Sequence, residues 1–261
     1  MDKTTDILME LSALRRADAI AQEKTVSFFE MQNRAVFAPA VRDFASAFEG
    51  EGTHVIAELK RASPSEGMIR DDFRPLDLAR ELEDAGAAAL SVLCEPHRFL
   101  GDERYLADVR RKARIPVLYK DFITTRYQIA AARAAGADAV LLIAAVLERS
   151  KLSDLLSFTH SLGMSALVET HDEREIDVAV SVGARIIGVN CRNLRNFKCD
   201  VSLLKSLIGR IPRPCTRIAE SGMHSPEALR VAKDAGADGF LIGTALMRAE
   251  RPGERLSEFI S

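Results

Sequence analysis

A helix that ends in glycine and is soon followed by a buried strand recurs four times in this chain. The copies read DAGAAALSVL, AAGADAVLLI, SVGARIIGVN and DAGADGFLIG, with glycines about fifty residues apart at Gly86, Gly136, Gly183 and Gly236. Glycine readily adopts the left-handed conformation that ends many helices, and the apolar run after it is typical of a strand buried on both faces. The repeat therefore restricts the chain to folds in which helices alternate with parallel strands.

Further strand-like runs lie between these copies, among them PVLYKDF, SALVET and TRIAES. Each repeat thus corresponds to two β–α units, and the chain contains eight. The predicted strands span 54–60, 89–94, 116–122, 139–146, 165–170, 185–191, 216–221 and 239–244. The predicted helices span 75–85, 103–113, 125–135, 150–162, 172–182, 201–209, 225–235 and 245–260.

Eight parallel β–α units of even length predict an α/β fold that closes into a (β/α)8 TIM barrel. A doubly wound open sheet is the alternative that the same alternation allows. Residues 1–50 precede the first strand, and the helix formers and threonine cap in TTDILMELSALRR predict an extra N-terminal helical segment. With 261 residues and no low-complexity tract, we expect a single domain over 1–261, with the barrel at 54–260.

Charge and hydropathy narrow the class of partner. The 36 basic and 38 acidic residues nearly cancel, so no strong field favours nucleic acid or a membrane surface, and a small molecule is expected. No run reaches the roughly 18 apolar residues of a membrane span, and the N-terminus lacks the pattern of a secretory leader. Four cysteines without a C-x-x-C pair predict reduced thiols, and we expect a cytoplasmic protein.

Charged and amide side chains stand at the ends of several predicted strands. In VIAELKRASPS, the residues Ile56, Glu58 and Lys60 share a parity, so they point to the same side of the strand. Catalytic groups of TIM barrels lie at the carboxyl ends of the strands, where the eight loops meet. The residues predicted to converge there are Glu58, Lys60, Lys120, Glu169, Asn190, Arg192 and Glu220.

This crowding of lysines and glutamates has a chemical consequence. Burying unpaired charges is costly, and charges at several strand ends in register are not explained by packing. Charges held close together push pKa values apart and so supply an acid and a base without histidine. The five histidines do not share the strand-end positions, and His171, just past Glu169, is the nearest to them.

The last two β–α junctions carry glycines and hydroxyl residues. Ser221 and Gly222 follow the seventh strand, and Gly243 and Thr244 follow the eighth. Glycines let backbone amides approach an oxyanion, hydroxyls add donors, and a helix N-terminus favours negative charge. These loops commonly bind phosphate in TIM barrels. We therefore predict a phosphate site there, which Ser63 of the first loop can also reach.

The ordered motifs IAELKRASPSEG, LYKDFI, ADAVLLIAAVL, GMSALVET, IIGVNCRNL, IAESG and LIGTALM resemble the indole-3-glycerol phosphate synthase family from residue 6 to residue 260. The resemblance implies a lyase of tryptophan biosynthesis. The family converts 1-(2-carboxyphenylamino)-1-deoxyribulose 5-phosphate to indole-3-glycerol phosphate by ring closure, decarboxylation and dehydration. It implies no metal and no organic cofactor, and a phosphorylated aromatic small molecule as the partner. Because the chain ends after eight units, no fused isomerase domain is expected. A monomer is favoured.

The resemblance also implies roles for individual residues. Lys120 resembles the general acid that protonates the ketone oxygen while the aryl carbon attacks. Lys60 matches the second lysine, which holds the substrate carboxylate or acts as an acid in the dehydration, and the step that each lysine serves is left open. Glu169 resembles the general base, and Glu58 would orient both lysines. Further matches are the polar positioning groups Asn190, Arg192, Glu220 and Ser221, together with Phe122 and Leu141, which fit either an apolar wall or plain barrel core.

Two other functions remain compatible with these residues. Barrel lysines beside acids can form Schiff bases in aldolases, which predicts borohydride trapping on Lys60 or Lys120. A non-catalytic barrel could instead bind a phosphorylated aromatic ligand as a sensor, although every acid and base candidate is intact.

Two loops depart from the family pattern. The second β–α loop has Cys94, Leu100 and Asp102 where other residue types are usual, which leaves its conformation open. The first has Glu66 where a basic residue is common, which predicts weaker contacts between this loop and an anionic substrate.

Overall fold

The computed structural model describes residues 3–191 and 201–261. Its eight long strands form a closed parallel barrel, which confirms the predicted (β/α)8 fold. They are β1 His54–Leu59, β2 Ala89–Leu93, β3 Val117–Lys120, β4 Ala139–Ile143, β5 Ser165–Thr170, β6 Ile186–Val189, β7 Thr216–Ala219 and β8 Gly239–Ile242. Each strand pairs with the next along the chain, and β8 pairs with β1 to close the barrel.

Alternate residues of each strand pack into two separate apolar cores. Val55 and Leu59 of β1 belong to the core that the strands share with the surrounding helices. Ile56 belongs to the second core, which fills the barrel interior. Since side chains of one parity point the same way, Glu58 follows Ile56 into the interior. Parity therefore brings polar side chains at the strand ends into the mouth of the barrel.

Helices precede the first strand and follow each strand, and several of them begin at local capping signals. They are α1 Lys3–Thr25, α2 Phe28–Val36, α3 Pro75–Asp84, α4 Glu103–Lys112, α5 Arg126–Ala134, α6 Arg149–Ser161, α7 Glu173–Ser181, α8 Val201–Arg210, α9 Pro226–Asp234, α10 Thr244–Met247 and α11 Pro252–Ile260. In the capping box of α5, the backbone amide of Gln128 donates to Thr125 Oγ1, and the backbone amide of Thr125 donates to Gln128 Oε1. Asp172 and Ser225 cap α7 and α9 in the same way through their side-chain oxygens.

The boundaries differ from the sequence prediction in two instructive places. The single helix predicted over 245–260 is two helices, because Pro252, which has no amide hydrogen, begins α11 at its first position. An antiparallel ribbon of Ala62–Ser63 and Gly67–Met68 was not predicted, since each of its strands is too short to show a pattern. The ribbon folds the first β–α loop back on itself.

The N-terminal segment closes the barrel at both ends. Leu11 of α1 belongs to the interior core and lines the mouth. At the opposite end Phe44 and Phe48 join the same core, with their ring centroids 5.2 Å apart. A Cβ on Gly239, the first residue of β8, would lie only 2.6 Å from the Phe48 ring, so this strand must begin with glycine for the ring to enter.

Two findings bear on the environment of the chain. Among the described residues no helix is both long and apolar enough to cross a bilayer. Cys94 and Cys215 are free thiols, as expected. The expectation of reduced thiols is wrong for Cys191, which is disulfide-bonded. The missing C-x-x-C pair excluded only one cysteine spacing, and longer separations remained possible.

Candidate active site

The candidate residues lie around one cleft at the C-terminal end of the barrel. Glu58 and Glu169 lie near the ends of β1 and β5, and Lys120 is the last residue of β3. The cleft is lined by every candidate that the structure describes: Glu58, Lys60, Ser63, Lys120, Phe122, Leu141, Glu169, Asn190, Glu220, Ser221, Gly222, Gly243 and Thr244. Arg192 lies outside the described residues.

The Lys120 ammonium is shared by three carboxylates. Its Nζ lies 3.2 Å from Glu220 Oε2, 3.6 Å from Glu169 Oε2 and 3.9 Å from Glu58 Oε1. Lys60 Nζ lies 2.5 Å from the other oxygen of Glu58. The Lys120 side chain is 16% exposed, and the side chains of its three partners are 6% exposed or less. Glu58 therefore bridges two lysines in a pocket where charge is poorly solvated.

Burial and neighbouring charges push the pKa values of these groups apart. Burial raises the pKa of Glu220 above its ordinary value, and the Glu169 carboxylate adds to this rise. Burial acts in the same direction on Glu169, but Lys120 and His171 outweigh it and hold the pKa of Glu169 well below its usual range. Burial alone would lower the pKa of Lys120, yet its carboxylate neighbours raise it. At neutral pH the mouth therefore holds an ammonium and an ionised base beside a carboxyl group whose pKa is raised.

Two glycines make room for the carboxylates. A Cβ on Gly188 of β6 would lie 1.8 Å from Glu220 Oε1, and a Cβ on Gly243 would lie 2.1 Å from Glu58 Oε2. Both distances are far shorter than any real contact of a Cβ atom. Gly243 thus has a second reason to be glycine, beside the phosphate binding predicted for it. Gly188 was not singled out from the sequence, because only the distance to Glu220 across the barrel reveals its role.

The candidate phosphate ligands gather on one side of the cleft, around the loops after β7 and β8. Ser63, carried by the ribbon of the first loop, is buried beside them. Gly222 has a φ of 82°, a left-handed conformation that favours glycine. Ser221 Oγ donates a hydrogen bond of 2.5 Å to Asn190 Oδ1. This bond joins the phosphate side of the cleft to the acid–base side.

The apolar wall is larger than the two residues matched from the sequence. Phe122 and Leu141 line the cleft, and the Phe99 ring packs against Phe122 with a centroid separation of 6.1 Å. Leu8 and Leu11 of helix α1 also line the cleft. These two residues were not singled out from the sequence, because the sequence does not show where α1 packs on the barrel.

His171 is the charged residue at the site that the sequence reasoning left without a role. Its Nε2 lies 3.2 Å from Glu169 Oε1, and its Nδ1 lies 3.1 Å from Glu175 Oε2. His171 follows Glu169 by two positions and so shares its parity, which is the signal that could have found it.

The two loops that depart from the family pattern are held by their own side chains. Glu66 pairs with Arg248 at 2.5 Å, which fastens the first loop to the turn after α10 and neutralises this acid outside the cleft. In the second loop the Glu95 carboxylate accepts hydrogen bonds of 2.6 to 2.9 Å from three successive backbone amides. Asp102 then caps α4. The first loop is therefore held by an ion pair with a distant turn, and the second by hydrogen bonds within the loop.

The chain is similar to known proteins along nearly its whole length. The family model described as indole-3-glycerol phosphate synthase matches residues 8–259. The indole-3-glycerol phosphate synthase of Campylobacter curvus is 48% identical over 212 residues, which cover 80% of this chain and 81% of that protein. The synthase of Sulfurimonas denitrificans is 44% identical over 94% of each chain. A solved 3-hexulose-6-phosphate synthase from Salmonella typhimurium has a TM-score of 0.65 at 14% identity, over 79% of this chain and 96% of that one, which shows the fold alone.

Proposed function

The chain belongs to the indole-3-glycerol phosphate synthase family, carboxy-lyases of tryptophan biosynthesis, and we propose that Lys120, Lys60 and Glu169 are its acids and its base. The substrate is 1-(2-carboxyphenylamino)-1-deoxyribulose 5-phosphate, which loses carbon dioxide and water as the indole ring closes. One observation carries the proposal: a single ammonium lies within 3.9 Å of three buried carboxylates in a cleft with an apolar wall.

Ring closure needs an acid because the attacking aryl carbon is a weak nucleophile. The Lys120 ammonium donates its proton to the ketone oxygen while the carbon–carbon bond forms, so no full alkoxide develops. The surrounding carboxylates raise the pKa of Lys120, which keeps the group protonated before this step. Phe122 and Leu141 hold the aromatic ring against the wall and bring the two reacting carbons together.

Carbon dioxide then leaves from the ring carbon that has formed the new bond, and its electron pair restores the aromatic ring. Lys60 holds the substrate carboxylate until that loss, and Glu58 fixes the position of this lysine at 2.5 Å. An apolar wall beside the carboxylate favours the neutral product over the charged reactant.

Dehydration completes the indole. Glu169 takes a proton from the carbon beside the ring nitrogen, and the hydroxyl formed in the first step leaves as water after accepting a proton from a lysine. The low pKa of Glu169 keeps it ionised for this task. Because Glu169 Oε2 lies 3.6 Å from Lys120 Nζ, its proton can return to that lysine. One further proton from solvent balances the loss of the substrate carboxylate as carbon dioxide.

The phosphate at the other end of the substrate fixes its direction in the cleft. We assign it to the backbone amides and hydroxyls of the loops after β7 and β8 and of the first loop: Ser63, Ser221, Gly222, Gly243 and Thr244. Asn190 and Arg192 are assigned to the substrate hydroxyls and carboxylate.

The charge distribution disfavours a Schiff-base mechanism. A lysine that attacks a carbonyl must first be a neutral amine. Here three carboxylates raise the pKa of Lys120 and keep it charged. We therefore expect borohydride to trap no sugar phosphate on Lys120.

The test is the appearance of indole fluorescence when purified protein meets the carboxyphenylamino-deoxyribulose phosphate. Lys120→Met should lower the turnover rate by about 10²- to 10⁴-fold, because it removes the acid. Lys112→Met, at an exposed lysine that ends α4, is the matched control and should leave the rate unchanged. A folded wild-type protein that makes no indole product would sink the proposal.

A further inference from the structure

His171 lies behind the proposed base rather than in the cleft. Its side chain is 13% exposed, and the described residues that line the cleft include Glu169 and Asn190 but not His171. The ring stands between two carboxylates, with Nε2 3.2 Å from Glu169 Oε1 and Nδ1 3.1 Å from Glu175 Oε2. The backbone amide of His171 donates to the same Glu175 oxygen at 2.8 Å. Both ring nitrogens therefore have a carboxylate partner.

Glu175 holds this ring in place from the start of helix α7. It lies in the first turn of α7, where the Asp172 side chain caps the helix by accepting from the Glu175 amide at 2.8 Å. The helix N-terminus also stabilises the Glu175 carboxylate. The position of His171 is thus set by a capped helix and does not depend on a bound substrate.

The contacts divide the two oxygens of the Glu169 carboxylate. Oε1 lies 3.2 Å from His171 Nε2 and accepts a hydrogen bond of 3.2 Å from Asn190 Nδ2. Oε2 lies on the Lys120 side, 3.6 Å from that ammonium. One oxygen is therefore anchored, and the other is turned toward the group that must be reprotonated.

We propose that His171 is a positioning residue for Glu169, holding Oε1 so that Oε2 is the oxygen that takes the substrate proton. The inference rests on the proposed role of Glu169 as the base of the synthase reaction. His171 does not touch the substrate, and it acts by fixing the orientation and the charge of the group that does.

The charges around the pair support this role. The ionisable groups that face Glu169 are Lys120 from β3, Glu220 after β7 and Glu58 from β1, while Glu175 of α7 faces His171 from the other side. Burial alone would lower the pKa of His171, but the two flanking carboxylates, Glu169 and Glu175, raise it to about 10. The ring is thus an imidazolium at neutral pH and keeps a proton on each nitrogen. That cation in turn helps to hold the pKa of Glu169 low.

The test compares the pH profile of single-turnover indole formation in the wild type and in His171→Asn. The variant should react about 10- to 100-fold more slowly, because a misplaced base costs about that much. The acid limb of the profile is the range in which the rate falls because Glu169 becomes protonated. In the variant this limb should move to higher pH, because Glu169 loses a neighbouring cation and is protonated more easily. KM should change little. Glu175→Gln should move the limb in the same direction by a smaller amount, since it weakens the support of the ring without removing the ring.

The control is His160→Asn, at an exposed histidine in the last turn of α6, which should alter neither the rate nor the limb. A slower His171→Asn whose acid limb stays in place would show that the ring only packs, and an unchanged rate would also overturn the proposal. If His171→Asn does not fold, an unshifted limb in Glu175→Gln rejects the proposal instead. Wild-type protein without indole product would reject the synthase reaction itself, so the two failures are distinguishable.

Discussion

Two clusters of buried charge lie back to back at the end of β3, and they differ in how completely their charges are paired. The inner cluster faces the barrel mouth and consists of Lys120, Glu58, Glu169 and Glu220. The outer cluster faces α1 and consists of Arg15, Glu103, Tyr119 and Asp121. Successive residues of a strand point to opposite faces, so one short segment of β3 contributes to both clusters.

Asp121 of the outer cluster has a partner for each of its oxygens. Oδ1 accepts hydrogen bonds from Arg15 Nε at 3.0 Å and from the Phe122 amide at 2.8 Å. Oδ2 accepts from Arg15 Nη2 at 2.7 Å and from the Tyr119 hydroxyl at 2.8 Å. The side chains of Arg15 and Asp121 are 5% and 0% exposed, so this is a fully desolvated pair with satisfied hydrogen bonds.

The inner cluster is under-paired by comparison. Glu58 also contacts Lys60 and Glu169 also contacts His171, whereas Glu220 Oε1 has no hydrogen-bond partner among the described residues. Groups left short of partners remain able to bind a substrate and to exchange protons with it. Burial of charge is therefore common to both clusters, and incomplete pairing is what separates the reactive one from the structural one.

Breaking the outer cluster should have the largest effect on stability. Arg15→Met leaves the Asp121 carboxylate buried without its cation, which typically costs about 3 to 5 kcal/mol of unfolding free energy. Urea denaturation measures this loss, with Arg16→Met, at the exposed neighbour on α1, as the matched control. The kcat of the folded variant should stay within about tenfold of the wild type, because Arg15 holds no reacting atom. A kcat as low as that of Lys120→Met would show that the outer cluster is not merely structural.

The sequence predicts the inner cluster better than the outer one for a physical reason. Once the barrel is assigned, the alternation of side chains along each strand predicts that Glu58 and Lys120 point into the same mouth. No knowledge of tertiary contacts is needed for this prediction. Arg15 lies 106 residues from Asp121 on a helix that precedes the first repeat, and no period relates the two. The eight β–α units predict the barrel, but helix α1 precedes them, so they do not predict where it packs. Side-chain partners behind the mouth, such as His171 for Glu169, require distances that parity alone does not supply.

Filling the space beside one carboxylate of the inner cluster tests how strongly activity depends on the position of that carboxylate. Gly188→Ala places a Cβ 1.8 Å from the present position of Glu220 Oε1, so the carboxyl must shift from that position. A displacement of about 1 Å in such a site can cost about 10²-fold in rate, and kcat/KM for indole formation should fall accordingly. Gly209→Ala is the control, because no atom lies within 4 Å of its Cβ in α8. Unchanged activity in Gly188→Ala would mean that the inner cluster tolerates rearrangement and does not depend on the position of Glu220.

The proton on Glu220 should make the stability of the protein depend on pH. Burial raises its pKa from 4.5 in the unfolded chain to about 8 in the folded protein. The folded state therefore binds more protons across that interval, and this group makes the protein less stable as the pH rises through it. Glu220→Gln, which cannot ionise, should flatten the fall in unfolding free energy between about pH 5 and pH 8.

Urea midpoints at the two pH values measure this difference, with the exposed Glu51→Gln as the control that should keep the wild-type slope. An unchanged slope in Glu220→Gln would mean that Glu220 is already ionised and fully matched to Lys120. The inner cluster would then be as well paired as the outer one, and incomplete pairing could no longer explain why chemistry is confined to one face of β3.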